Sequence, residues 1–134
     1  MVSFIIEAAG VATGMIFGSY EYGDGLGIKV INTPILIGVN WIFLIYCTAV
    51  ITDRLAVAPV LKIILSSSIM VAYDFLMEQV APLMRMWVFE NGSVPLKNYV
   101  AWFLLAIIFH SILKLARIKV INRLAPAVFF IQVV

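Results

Sequence analysis

Residues 71–82 read VAYDFLMEQVAP, and the two carboxyls in this apolar run decide how the chain is read. The run sits inside a hydrophobic segment, residues 59–82, that is long enough to cross a bilayer, since about 20 apolar residues span the hydrocarbon core. Asp74 and Glu78 are four apart, so on a helix they share one face, one turn above the other. A carboxylate at membrane depth costs roughly 2.5–3.5 kcal/mol on insertion scales. A pair kept at that cost points to use, and proton chemistry on an apolar substrate is the use that fits.

The rest of the composition agrees with a lipid solvent. The chain has 134 residues, is 64% hydrophobic and has a mean hydropathy of +1.12, whereas soluble domains are roughly 45–50% apolar. One membrane domain, 1–134, accounts for the length. A net charge of +2 is too small to imply nucleic acid as a partner. Cys47 is the only cysteine, so no disulfide forms within the chain, and its apolar setting reads as packing. Residues 1–18 have no basic leader and carry Glu7, which does not read as a secretory signal.

Four segments read as membrane-spanning helices, residues 2–18, 34–52, 59–82 and 98–116, with a partial fifth over 124–134. The expected fold is therefore an all-α integral membrane bundle. In the first segment Ser3, Glu7, Gly10, Gly14 and Gly18 share one face, and its glycines would let another helix approach closely. Glu7 is not explained by such a packing seam. In the second, Pro34 suits a first helical position. Asn40 beside Trp41 reads either as an interhelical hydrogen bonder or as a site residue. Ser67, Asp74, Glu78 and Arg85 mark the polar face of the third, and Lys62 can snorkel outward. His110, the only histidine, lies within the fourth and reads as structurally paired.

Between segments, residues 19–33 (SYEYGDGLGIKVINT) read as a short hairpin over one end of the bundle, with Tyr20 and Tyr22 at the interface. Their glycines lack the spacing and the strand–helix context of a dinucleotide site. In residues 83–97, Asn91-Gly92 between WVFE and SVP signals a hairpin. Asn91-Gly92-Ser93 also matches a glycosylation sequon, a weak three-residue pattern. Tyr99 and Trp102 mark one interface of the fourth segment, and Lys114 and Arg117 the other. A basic linker follows over residues 114–123, and the chain reads as clipped at both ends. Arg54, Lys62, Lys114, Arg117, Lys119 and Arg123 lie on one side, against Lys29, Arg85 and Lys97 on the other. That bias puts the first group in the cytoplasm.

Several chemistries lack their residues. There is no second acidic cluster for a prenyl diphosphate and its Mg²⁺, no second histidine for a bis-histidine haem, no zinc ligand set and no P-loop. Three intramembrane carboxyls remain, Glu7, Asp74 and Glu78, with Tyr, Trp and Asn around them. A carboxyl in apolar surroundings holds its proton to higher pH, and a second carboxyl nearby strengthens that. Such a group can protonate an isolated alkene. Aromatic faces can stabilise the resulting tertiary cation, and water can add as a carboxylate removes its proton. Hydration of an isoprenoid double bond in this way needs no cofactor.

The run from Phe4 through Glu7, Gly10, Thr13, Gly14, Phe17, Gly18 and Tyr20 to Tyr22-Gly23 resembles the signature of membrane carotenoid biosynthesis proteins of the CruF type. Pro34 to Asn40-Trp41 is similar to their following helix. Asp74-x-x-x-Glu78-x-x-Ala81 and Val94-Pro95-x-x-Asn98-Tyr99-x-x-Trp102 resemble their later motifs. The resemblance covers nearly the whole chain and implies hydration of the C-1′,2′ double bond of an acyclic carotenoid end group, in a bacterial inner membrane. It also implies that the chain is shorter than its relatives at both ends.

Chemistry placed on those motif positions gives the expected site. Asp74 or Glu7 donates the proton, and Glu78 tunes the donor or deprotonates water. Asn40 and Tyr22 orient the water. Trp41 and Trp102 line the polyene or cation path, and Asn98 joins them on the substrate side. The expected partners are a lipophilic carotenoid and the bilayer, with other carotenoid enzymes or a second copy beside it. Two other classes stay open. One is a small transport or proton-relay subunit, which needs polar residues continuing towards residues 53–58, where the third segment itself offers only Ser66 and Lys62. The other is a helical packing subunit of a larger complex, suggested by the glycine face.

Overall fold

The computed structural model describes residues 2–13, 17, 20–90, 92–118 and 120–133. The chain is a helical membrane protein. Among the described residues, three helices are long and apolar enough to cross a bilayer: α2 Ile35–Asp53, α3 Pro59–Val80 and α4 Leu96–Leu115. At about 1.5 Å per residue each reaches about 30 Å, the thickness of the hydrocarbon core. α1 Val2–Thr13 has 12 residues. Of the remainder of the expected first span, residues 14–18, only Phe17 is described. α5 Ala125–Val133 has nine residues and is the partial fifth helix. Aliphatic side chains such as Leu36, Val39, Leu61, Ile64, Leu104 and Ile108 stay exposed along the long helices, as lipid-facing positions do.

The chain forms two compact units: Met1–Ile42 with Phe75–Ala101, and Phe43–Asp74 with Trp102–Val134. The first contains two small antiparallel sheets. In one, β1 Tyr20–Tyr22 pairs with β4 Trp87–Phe89, setting Tyr20 opposite Phe89 and Tyr22 opposite Trp87. The expected partner of the WVFE stretch was SVP, across Asn91-Gly92; its partner is β1, and no strand forms at residues 93–95. Asn91, and with it the sequon, lies outside the described residues. The other sheet, β2 Lys29–Val30 with β3 Thr33–Pro34, is the short hairpin expected over residues 19–33. Its two turn residues, Ile31 and Asn32, have φ of 51° and 57°, the backbone that a tight two-residue hairpin needs to match strand twist. Pro34 ends this hairpin, so α2 begins one residue later than its proline suggested.

Close backbone approach explains two of the glycines between β1 and β2. A side chain at Gly23 would strike the Arg85 carbonyl, and one at Gly25 the Met84 carbonyl. Bare backbone there lets Gly23 N donate to Met86 O and Gly25 N to Arg85 O, each at 2.9 Å. Arg85 is a correction. It was expected on the polar face of α3, but the helix stops at Val80 and Arg85 is exposed in a left-handed turn with φ 54°. Met86 N reaches back to Ala81 O and Arg85 N to Pro82 O, the paired bonds that close such a turn. The space beside Gly10 is filled by the buried Phe17 ring, while Gly14 and Gly18 lie outside the described residues.

In the second unit the core is formed by Leu44, Cys47, Val50, Met70, Ala106 and Phe129. Just past α4, Arg117 has φ 52° and Ile118 N bonds back to Leu113 O. Lys119 lies outside the described residues.

Candidate active site

The first unit gathers buried polar groups at the β1–β4 sheet. Strand alternation turns Tyr20 and Tyr22 to one face and leaves Glu21 exposed on the other. That face meets Glu7 of α1, which is 3% exposed. Both phenols donate to the same oxygen, Glu7 Oε1: Tyr20 through a very short bond, and Tyr22 at 2.8 Å. The two hydroxyls are 3.3 Å apart. Burial, and then the charge of Glu7, push both tyrosines above their usual range, so they stay as O–H donors.

The same sheet carries the second carboxyl. Trp87, opposite Tyr22 in β4, donates its indole N–H to Glu78 Oε2 at 3.0 Å. Glu78 is 9% exposed, and its other oxygen, Oε1, is buried with no hydrogen-bond partner among the described residues. Native interiors leave few such atoms. Tyr20 lies within electrostatic reach of Glu78 as well as bonded to Glu7. The rings continue the cluster: Tyr22 meets Trp87 edge-on at 6.4 Å, and Tyr20 lies 5.0 Å from Phe89. Two carboxyls, two phenols and an indole thus share one buried wall.

Of the residues expected from sequence, Glu7, Tyr22 and Glu78 fall in this cluster. Asn40, Trp41 and Asn98 belong to the same unit, Asn40 half-buried and the other two buried. Asp74 is half-buried and belongs to the second unit, as does the buried Trp102. Sequence reasoning missed Tyr20 and Trp87 as partners of the carboxyls. Their signal was present, since aromatics alternate in both YEY and WVF, as on one face of a strand.

A second polar lane runs through the other unit. His110 Nε2 lies 2.9 Å from Thr48 Oγ1, and its Nδ1 lies 2.7 Å from the Ala106 carbonyl and 3.4 Å from Ser67 Oγ. A carbonyl cannot donate, so Nδ1 carries a proton there. Thr52 and Ser66 share a 2.6 Å hydroxyl contact in which one donates, and the Thr48 carbonyl lies 3.1 Å from Thr52 Oγ1 and the Lys62 carbonyl 2.8 Å from Ser66 Oγ. Beyond them Asp53 Oδ1 accepts from Lys114 at 2.6 Å and from Lys62 at 3.4 Å. A pocket of about 20 Å³ bordered by His110, Ser66, Thr52, Asp53, Lys62 and Lys114 has room for roughly one water. The third segment alone supplied too few polar groups for a path towards residues 53–58; α2 and α4 provide the others.

A family model described as carotenoid biosynthesis protein covers residues 1–130. No curated protein and no solved structure matches.

Proposed function

The chain belongs to the carotenoid biosynthesis protein family, and from that premise we propose that it hydrates the C-1′,2′ double bond of an acyclic carotenoid end group, in a bacterial inner membrane. One observation carries the reading: Glu7 and Glu78 are both buried against aromatic residues of the β1–β4 sheet, yet they are held in opposite ways. Glu7 Oε1 accepts from two phenols, which suits a carboxylate. Glu78 accepts one indole N–H on Oε2 and has a bare Oε1, which suits a carboxylic acid carrying its proton on that oxygen.

The roles follow from this asymmetry. Glu78 Oε1–H gives its proton to the less substituted alkene carbon, leaving a tertiary cation and the Glu78 carboxylate. The ring faces of Trp87 and Tyr22 are the groups that would stabilise that cation. A water oxygen bonds to the cationic carbon, and Glu7 takes the proton that the water loses. The proton that Glu7 has taken up then passes back to Glu78, which restores both groups, so no oxidant, reductant or cofactor is consumed. This moves the donor from Asp74 or Glu7, as first expected, to Glu78, because Glu7 already accepts two hydrogen bonds.

The test is a pigment extract. A bacterium that accumulates lycopene, expressing this chain in its membrane, should yield a more polar carotenoid heavier by one water. Glu78→Gln, which keeps an acceptor for Trp87, should abolish that product with protein still present. Unchanged lycopene with wild-type protein in the membrane would count against hydration of this end group.

A second reading, a proton-relay subunit, is favoured by the lane from Asp53 through Thr52 and Ser66 to Thr48 and His110. It predicts proton flux without any change in pigment.

A further inference from the structure

We propose that the second unit holds the phosphate of an anionic phospholipid at the end of its helices. An open groove of about 870 Å³ lies where α2 ends and the linker from α4 to α5 passes. Arg54, Lys62 and Arg123 supply three positive charges to its lining, and Asp53 one negative charge, leaving +2. Asp53 is already engaged by Lys62 and Lys114. Arg54 donates through Nη2 to the Asn122 carbonyl at 3.2 Å, which fixes its guanidinium across the groove and leaves further N–H groups for a ligand. Neither Arg54 nor Arg123 has an ion pair among the described residues. A guanidinium fork matches the paired oxygens of a phosphate diester.

The apolar part of the surface distinguishes a lipid from a free anion. Val50, Val120 and Ile121 line the groove beside its cations. Along the linker, Leu115, Ile118, Ile121 and Leu124 are 83%, 55%, 83% and 70% exposed. They recur at every third position and alternate with Lys114, Arg117 and Arg123. Aliphatic side chains left exposed beyond the end of a spanning helix, interleaved with cations, suit the boundary of headgroups and acyl chains. A free phosphate would draw nothing from them. The groove also lies on the side that the lysine and arginine bias assigns to the cytoplasm, where anionic lipids concentrate.

The full chain, reconstituted in vesicles of equal phosphatidylglycerol and phosphatidylcholine and then extracted into mild detergent, should retain phosphatidylglycerol about thirtyfold over phosphatidylcholine, as expected for two cations near a phosphate. The preference should shrink as salt rises. Arg54→Gln and Arg123→Gln should each cut it about fivefold. Arg123 is exposed and holds no hydrogen bond among the described residues, so its replacement tests the site even if Arg54→Gln unfolds the linker. Equal retention of both lipids would overturn the proposal. So would glycerol phosphate raising the melting temperature as much as phosphatidylglycerol does, since the site would then bind a free anion.

Discussion

Trp87 donates its indole N–H to Glu78 across 3.0 Å, tying the strand after α3 to a carboxyl on α3 itself. Trp87→Phe should keep the ring against Tyr22 but leave both Glu78 oxygens without a protein donor. The cost is about 1–3 kcal/mol. Thermal denaturation in detergent should show a lower melting temperature than for Glu78→Gln, in which an amide oxygen still accepts the indole. Equal melting temperatures would mean that the bond contributes nothing to the fold.

Tyr20 and Tyr22 converge on one oxygen of Glu7. With Glu7 as the carboxylate proposed above, each hydrogen bond to it contributes about 1.5–3 kcal/mol. Tyr20→Phe and Tyr22→Phe should each destabilise the protein by that order. The double variant should lose more than the sum, because in each single variant the remaining phenol still serves the shared acceptor and only the double variant leaves it bare. A double-mutant cycle by chemical denaturation reads this directly, and strict additivity would separate the two phenols energetically.

The same tyrosines predict alkaline behaviour. Burial and then the Glu7 charge raise both above their usual value, so the fold favours their protonated form. Their contribution to stability is fully present below the unfolded value near pH ~10. It is lost as pH rises beyond that, because the unfolded chain then releases protons that the folded chain keeps. Tyrosinate absorbance developed by the folded protein near pH ~10 should therefore be the same in wild type and in the Tyr20→Phe, Tyr22→Phe double variant. A smaller signal in the double variant would show that these phenols ionise in the fold.

Gly23 faces the Arg85 carbonyl with no room for a side chain. Gly23→Ala should push the two backbones apart, break the Gly23–Met86 hydrogen bond and weaken the β1–β4 pairing. Overpacking of this kind costs about 1–3 kcal/mol. Pigment conversion should fall along with stability. Unchanged stability would mean that the loop shifts freely.

Vesicles containing the purified chain should hold a pH gradient as well as empty vesicles if the protein is a hydratase. A leak that stops with His110→Phe and slows with Thr52→Val would assign the His110 lane to proton conduction and favour the second reading.

The long helices were legible because twenty-residue apolar runs have few readings other than a span. Glu7 and Glu78 stood out for the same reason, being charged side chains in hydrocarbon. What the sequence hid was pairing between distant segments. Asn91-Gly92 looked like a hairpin turn, yet Trp87–Phe89 joins Tyr20–Tyr22, because bare glycines at 23 and 25 admit the backbone of residues 84–86. Arg85 seemed to extend a helical face by simple spacing, and a left-handed turn intervened. His110 was legible only as paired. Its partner Thr48 and the neighbouring Thr52 are ordinary residues in an apolar helix until α2 is seen beside α4.

The β1–β4 sheet also sets an order of assembly. Glu7 lies 13 and 15 residues from its two phenols, and Glu78 nine residues from its indole. Each half of the site can therefore mature within its own stretch of chain as that stretch is made. The halves meet only when Tyr20 pairs with Phe89, a contact that must wait for synthesis of α2 and α3 and bears the largest loop-closure entropy in the site. Until that moment the two carboxyls stand in separate stretches of chain, each with its own aromatic donors.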